Sequence, residues 1–223
     1  MKIIRFETIS STQDEVEKYI GCGEDVIVFA KEQTGGKGTK GRSFISTRGG
    51  LYFSYLKNYE NFKAEDAHKI IENASIAVCF ALNDLGVEAK IKWPNDILSH
   101  GKKICGILTR GFIESGFIRY SVTGIGVNVN NEISPGLKDI AVSVKEITGR
   151  AADEEALFQK ILKNLEKKSD RNIYKELSCV IGKRIAVSCG DNEYETTAID
   201  VLADGRLKTA DGKLLSGEEI RLL

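Results

Sequence analysis

Apolar and polar residues alternate along this chain in two periods. Lys2 to Glu7 alternates and is β-branched, which predicts a strand, and Val26 to Ala30 is an unbroken apolar run of the kind a buried strand shows. Leu51 to Leu56, Glu88 to Lys92, Asp96 to Ser99, Ile104 to Ile113 and Phe117 to Val129 also read as strands, with a hairpin turn at Gly101-Lys102. From Ala64 to Leu85 apolar residues recur at three and four (Ala67, Ile70, Ile71, Ala74, Ala77, Val78, Ala81, Leu82), the strongest helix signal in the chain. Glu154 to Tyr174 repeats that spacing. Thr12 followed by Glu15 is a capping-box pattern, predicting a helix of about nine residues toward Ile20.

Between the second strand and the third lies a segment with glycines and almost no apolar residue, from Glu32 to Ser43, which is read as a loop. Beyond Ser178 the pattern shifts to short alternating runs broken by Asp204-Gly205 and Asp211-Gly212, which are hairpin turn signals. These features predict an α+β fold with a mixed, largely antiparallel sheet and flanking helices over residues 1–177. They predict a small C-terminal β-barrel over residues 178–223.

Composition narrows the function. Lys+Arg and Asp+Glu are 32 each in 223 residues, so no net charge drives binding to nucleic acid or an acidic membrane. No apolar run is long enough for a bilayer-spanning helix, and the N-terminus turns polar within a few residues, so a cytoplasmic location without membrane association is expected. Cys22, Cys79, Cys105, Cys179 and Cys189 are odd in number and widely spaced, which reads as reduced thiols. With His68 and His100 as the only histidines, a histidine metal site is not expected and no metal ligand is assigned.

Chemistry is concentrated in a few stretches. Lys31, Lys37, Lys40, Arg42 and Arg48 surround the glycines of the loop, where backbone N–H groups can converge on an anion; a flexible basic surface loop has the same composition. The run Gly36-Lys37-Gly38-Thr39-Lys40-Gly41-Arg42 is not a Walker A motif, because the spacing is wrong and a strand follows. In Lys92-Trp93-Pro94-Asn95-Asp96, Pro94 interrupts the strand pattern; Asn95 and Asp96 then either cap a turn or hold a polar ligand. Lys102 and Lys103 enter an apolar strand, so one faces each way, and the inward one calls for an anion. In Gly124-Ile125-Gly126-Val127-Asn128 the glycines strip one face of side chains, for a ligand or for a crowded backbone, and Asn128 lies on that face.

Taken in order, Ser11-Thr12-Gln13, Gln33, the Gly36–Arg42 run, Leu51-Tyr52 with Ser54, Lys92–Asp96, Gly101–Leu108 and Gly124–Asn130 resemble the biotin protein ligase family. The resemblance covers most of residues 1–130 and implies a class II synthetase-like catalytic domain followed by an SH3-like domain. It implies an ATP-dependent ligase that makes biotinyl-5′-AMP and transfers biotin to a lysine of a biotin carboxyl carrier protein, with ATP, Mg²⁺ and biotin as reactants. By resemblance, Lys103 and Lys37 are the catalytic cations. Ser11, Thr12, Gln13, Gln33, Lys37, Gly38, Thr39, Lys103 and Gly106 bind biotin, and Lys40, Arg42, Phe44, Asn95, Asp96, Gly126 and Asn128 bind the nucleotide.

The chain departs from the family pattern. Gln13 stands where Asn is commonest, and Lys37, Thr39 and Phe44 stand for Arg, Arg and Trp. Thr39 brings no guanidinium, so looser retention of the adenylate, by roughly 1–3 kcal/mol, is expected. Since the first strand starts at residue 2, a ligase without a DNA-binding domain or repressor activity is expected, as monomer or homodimer. A lipoate or octanoyl transferase of the same fold, and a non-catalytic biotin or adenylate sensor, are the alternatives.

Overall fold

The computed structural model describes residues 1–168, 170–190 and 192–223. Its main sheet has seven strands: β1 (Lys2–Phe6), β2 (Val26–Ala30), β3 (Leu51–Lys63), β4 (Lys90–Lys92), β5 (Asp96–Ser99), β6 (Lys102–Glu114) and β7 (Phe117–Val127). They lie in the order β1-β2-β3-β7-β6-β5-β4, with β1 parallel to β2 and every other neighbour antiparallel. Strand alternation gives the sheet two faces. Ile27, Phe29, Leu51 and Phe53 point to one side, against helices α2 (His68–Asn83) and α4 (Glu154–Leu165). Phe158 of α4 seats there, edge-on to Phe53 at 5.0 Å and to Phe29 at 5.3 Å. Burying a side chain of that size stabilises by roughly 1.5–3 kcal/mol. Val26, Val28, Leu56 and Val122 point to the other side, where Val16 of α1 (Thr12–Glu17) covers them.

Local chemistry explains where the elements differ from expectation. The cap of α1 is Ser11, whose hydroxyl accepts from Asp14 N; Thr12 is the first helical residue, and α1 ends at Glu17. Helical spacing over Glu154 to Tyr174 resolves into α4 and α5 (Arg171–Leu177), since Asp170 opens a new helix by accepting from Asn172 N at 2.8 Å. An extra short helix, α3 (Val144–Thr148), is opened by a Ser143/Glu146 capping box.

The C-terminal strands are β8 (Arg184–Cys189), β9 (Asn192–Val201), β10 (Leu207–Thr209), β11 (Leu214–Leu215) and β12 (Glu219–Leu222). They form an open five-stranded sheet in the order β11-β10-β9-β8-β12, which corrects the expectation of an SH3-like β-barrel. Its two edges, β11 and β12, do not pair. Closure requires edge strands long enough to meet with the right stagger, and β11 has only two residues. The apolar face is covered instead by the rest of the chain, for Ile185, Val187, Ala198, Leu207 and Ile220 belong to the same buried cluster as Ile91 and Trp93. All five cysteines are free. No helix among the described residues is long and apolar enough to cross a membrane.

Candidate active site

On the α1 side of the sheet, the N-terminus of α1, the glycine-rich loop and strands β3, β6 and β7 enclose a small pocket. Its first half is neutral and polar. Gln33 Oε1 accepts from Thr12 N at 2.8 Å and from Thr12 Oγ1 at 3.0 Å, while Gln33 Nε2 donates to Ser46 Oγ at 2.9 Å. Thr12 Oγ1 also meets Ser54 Oγ at 2.9 Å, and Ser54 Oγ donates to Gln13 Oε1 at 3.3 Å. Two hydroxyl protons thus serve three contacts, so the cluster has acceptor capacity to spare for a ligand N–H. Ser11, Thr12, Gln13 and Ser54 are buried, which makes any unmet hydrogen bond there costly.

The second half is cationic. Lys103 enters β6 beside a register irregularity opposite Ile97 and Leu98, and its backbone is pinned by Lys103 N donating to Ile140 O at 2.8 Å and Val142 N donating to Lys103 O at 3.0 Å. The two entering lysines do diverge: Lys103 lines the pocket, whereas Lys102 Nζ donates to Lys138 O at 2.6 Å outside it. Lys103 Nζ lies 2.6 Å from Asp96 Oδ1, yet that buried oxygen has no aligned hydrogen bond. The pair is therefore close in charge but poor in direction. Lys37 Nζ meets Asp14 Oδ1 at 2.5 Å.

Glycines set the floor. A Cβ on Gly124 would stand 2.5 Å from Gln13 Oε1, and one on Gly126 would stand 2.7 Å from the ring of Phe44. Phe44 lies against Gly126 and Gly106, with Lys103 Nζ 5.9 Å from its ring centre. The neutral cluster therefore sits at Gly124 and Lys103 beside Gly106, the partner of Gly126, a separation of about 6.8 Å along β7, while Lys37 is held at Asp14 of α1. With Phe44 in place the free space is about 40 Å³.

The pocket brings together Ser11, Thr12, Gln13, Gln33, Lys37, Gly38, Thr39, Phe44, Asn95, Lys103, Gly106 and Gly126. Lys40, Arg42, Asp96 and Asn128 do not line it. Asp96 adjoins it through Lys103. Arg42 reaches Glu219 of β12 at 2.6 Å, and this guanidinium holds the Glu219 carboxyl below its usual range. Asn128 is engaged in the backbone framework, donating to Val142 O at 3.3 Å and accepting from Asn131 Nδ2 at 3.2 Å. Sequence reasoning missed Ser54 as a site residue, although it closes the Leu51-Tyr52 motif, and missed Asp14 as the partner of Lys37. Burial drives the Cys105 thiol well above its usual value, so it is no nucleophile although it neighbours Gly106.

The model of the Biotin/lipoate A/B protein ligase family matches residues 5–128, which contain every pocket residue. The chain belongs to the Biotin/lipoate A/B protein ligase family. Among curated members it is 33% identical over 172 residues to the bifunctional ligase/repressor BirA of Bacillus subtilis, covering 74% of this chain and 53% of that protein. To the biotin–[acetyl-CoA-carboxylase] ligase of Mycobacterium tuberculosis it is 28% identical, covering 82% of this chain and 73% of the other. The chain thus spans about half the length of the Bacillus relatives it matches. Among solved ligases, the biotin protein ligase of Aquifex aeolicus in complex with biotin and ATP superposes with a TM-score of 0.83 at 27% identity, covering 100% of this chain and 99% of that one.

Proposed function

We propose that this chain is an ATP-dependent biotin–protein ligase. The observation that carries the reading is one pocket with a neutral hydrogen-bonding cluster at Gly124 and the Lys103 ammonium at the level of Gly126, two residues along the same strand, with Lys37 also lining it. Biotin has the matching polarity: an uncharged ureido ring at one end and a carboxylate at the other. Similarity over the full chain to a ligase solved with biotin and ATP supports the same reading.

In this mechanism Ser11, Thr12, Gln13, Gln33 and Ser54 hold the ureido group, and Gly38, Thr39 and Gly106 line the path of the valeryl chain. Lys103 and Lys37 hold the carboxylate against the α-phosphate. A carboxylate oxygen attacks the α-phosphorus and pyrophosphate leaves. A carrier-protein lysine, as free amine, then attacks the acyl carbon and AMP leaves. Both steps concentrate negative charge near the α-phosphate, where fixed cations and backbone N–H groups lower the barrier without forming a covalent bond to the enzyme. Lys40, Arg42, Phe44, Asn95, Gly126 and Asn128 are assigned to the nucleotide side. Mg²⁺ enters with the triphosphate; the unbonded Asp96 Oδ1 is a hard oxygen suited to it. Residues 1–177 act as the catalytic unit and 178–223 as a C-terminal unit that braces the loop. The partner is the carrier domain of a biotin-dependent carboxylase.

The test is ATP-dependent transfer of biotin to a carrier domain, with lipoate as competing acid and Lys103→Ala as control. Biotin transfer that collapses in the control is expected. Transfer of lipoate in preference to biotin, or biotin binding without transfer, would overturn the proposal.

A further inference from the structure

A second cavity, of about 440 Å³, opens on the opposite face of the sheet, between the far ends of β3 and β7 and helices α2 and α4. That volume falls in the range of small-molecule sites, roughly 300–1,000 Å³. It is separate from the first pocket by strand alternation: Ser121 and Thr123 of β7 face it, while Val122 and Gly124 face α1 and the pocket.

The cavity exists because the sheet is irregular there. Between the pairs Asn58↔Tyr120 and Phe62↔Ile118, residues 59–61 of β3 oppose Arg119 alone, and the register of β6 on β7 slips at the same level. Bulges of this kind redirect side chains and gather next to sites. Here the bulge turns Tyr59 and Phe62 into a wall, their ring centres 4.8 Å apart. Tyr59 hydroxyl meets Ser121 Oγ at 3.2 Å on the buried floor, and Asn73 spends its amide N–H on Leu165 O at 2.9 Å, which leaves its carbonyl oxygen to accept. The rim is basic: Lys57, Lys167 and Lys168 line it. Asp66 on the rim is already matched by Lys69 at 2.6 Å, and Lys57 has no ion pair among the described residues. Glu166 supplies one carboxylate at the edge.

We propose that this cavity binds a nucleoside monophosphate. The aromatic wall suits a flat heterocycle. The hydroxyls and the Asn73 oxygen suit a base edge, Glu166 suits sugar hydroxyls, and the lysine rim suits a phosphate dianion. The inference is independent of the ligase reading, since none of these residues lines the first pocket.

Binding of AMP, GMP, CMP and UMP to the full chain by titration calorimetry tests it, with inorganic phosphate as the control ligand. At least one mononucleotide is expected to bind more tightly than phosphate. Its affinity should fall about tenfold in Lys57→Glu and again in Lys167→Glu, as the loss of one charge contact implies, and should hold in Lys103→Ala. Both lysine changes are at or near the surface, and circular dichroism verifies the fold. Binding that is lost in Lys103→Ala and kept in Lys57→Glu would place the nucleotide in the first pocket and overturn the proposal. No mononucleotide binding at millimolar concentration by the folded protein would overturn it too.

Discussion

Lys103 owes its suitability for chemistry to an imperfect partner. Asp96 is close enough to hold the ammonium in place and poorly enough aligned to release it when a phosphate arrives. The pair is partly buried, with side-chain exposures of 35% and 22%, so removing the ammonium leaves the Asp96 carboxylate without its counter-charge. Lys103→Ala is therefore expected to lower the thermal unfolding midpoint modestly and to lower the rate of adenylate formation by roughly 10²–10³-fold, as removal of one transition-state donor does. Stopped-flow release of pyrophosphate measures the rate; an unchanged rate would remove Lys103 from the mechanism. Gly126 makes the complementary case. Its missing Cβ lets the Phe44 ring lie on the strand, and a methyl there would stand 2.7 Å from that ring. In Gly126→Ala the ring must tilt toward the loop, so weaker nucleotide binding is expected with the sheet intact. Unchanged nucleotide affinity in a folded Gly126→Ala protein would show that the ring does not need the bare strand.

At the level of elements, the glycine-rich loop is held from outside its own unit. Gly38 N donates to Arg42 O at 2.7 Å, Phe44 N donates to Gly36 O at 2.9 Å, and Arg42 then reaches across to Glu219 of β12. Both side chains of that pair are about half exposed, so its effect is on loop position more than on global stability. The folded carboxyl of Glu219 lies below its usual 4.5, chiefly because Arg42 hydrogen-bonds it. The contact is thus fully present above that usual value and is lost as pH falls through the lower folded one. Glu219→Gln at neutral pH is expected to reduce amide-exchange protection over residues 36–44 severalfold, and wild-type protein should reach the same state only on strong acidification. Equal protection in both proteins would mean that β12 does not brace the loop. Nothing local announces such a contact, and that marks the limit of sequence reading here. β2 and β5 were legible because burial imposes unbroken or alternating apolar runs, and the site motifs were legible because glycines and lysines are out of place in such runs. The outer half of β3 was not, since its exposed end relaxes the hydrophobic pattern and carries a bulge, whereas β6 was legible through Ile113. The α4–α5 break hid behind continuous helical spacing, with only Asp170 to mark it. The open C-terminal sheet read as a barrel because a meander shows its hairpins in sequence and does not show whether its edges meet. Ser54 and Asp14 became site residues only when β3 and α1 came together.

Across the whole molecule, the main sheet with its helices and the C-terminal sheet are joined by a polar seam. Trp93 Nε1 donates to Gly205 O at 3.0 Å, Cys179 N donates to Ile91 O at 2.9 Å, and Lys175 pairs with Asp200 at 2.7 Å. At its centre Arg171 donates to Leu202 O, to His68 Nε2 at 2.6 Å and to Glu72 Oε2 at 3.3 Å. His68 Nδ1 faces Glu65 O at 3.1 Å, so the neutral ring donates there and accepts from Arg171. A second ring proton would face a guanidinium. Burial first, and then Arg171, accordingly lower the His68 value beneath its usual 6.5, with Lys69 adding to the fall and Asp66 opposing it. The unfolded chain therefore binds this proton more readily than the folded one, and stability is lost as pH falls below about 6.5. Glu72 acts in the other direction: burial raises its carboxyl above 4.5 against the pull of Arg171, so the folded state takes up that proton sooner and recovers some stability at still lower pH. The unfolding midpoint should consequently decline between pH 7 and pH 5.5, and His68→Gln, which keeps an acceptor for Arg171 but cannot titrate, should flatten that segment alone. Because Lys103 and Lys37 stand outside the seam, the variant should retain ligation at pH 7.5, and an unflattened slope in a folded, active variant would assign the acid sensitivity to another group.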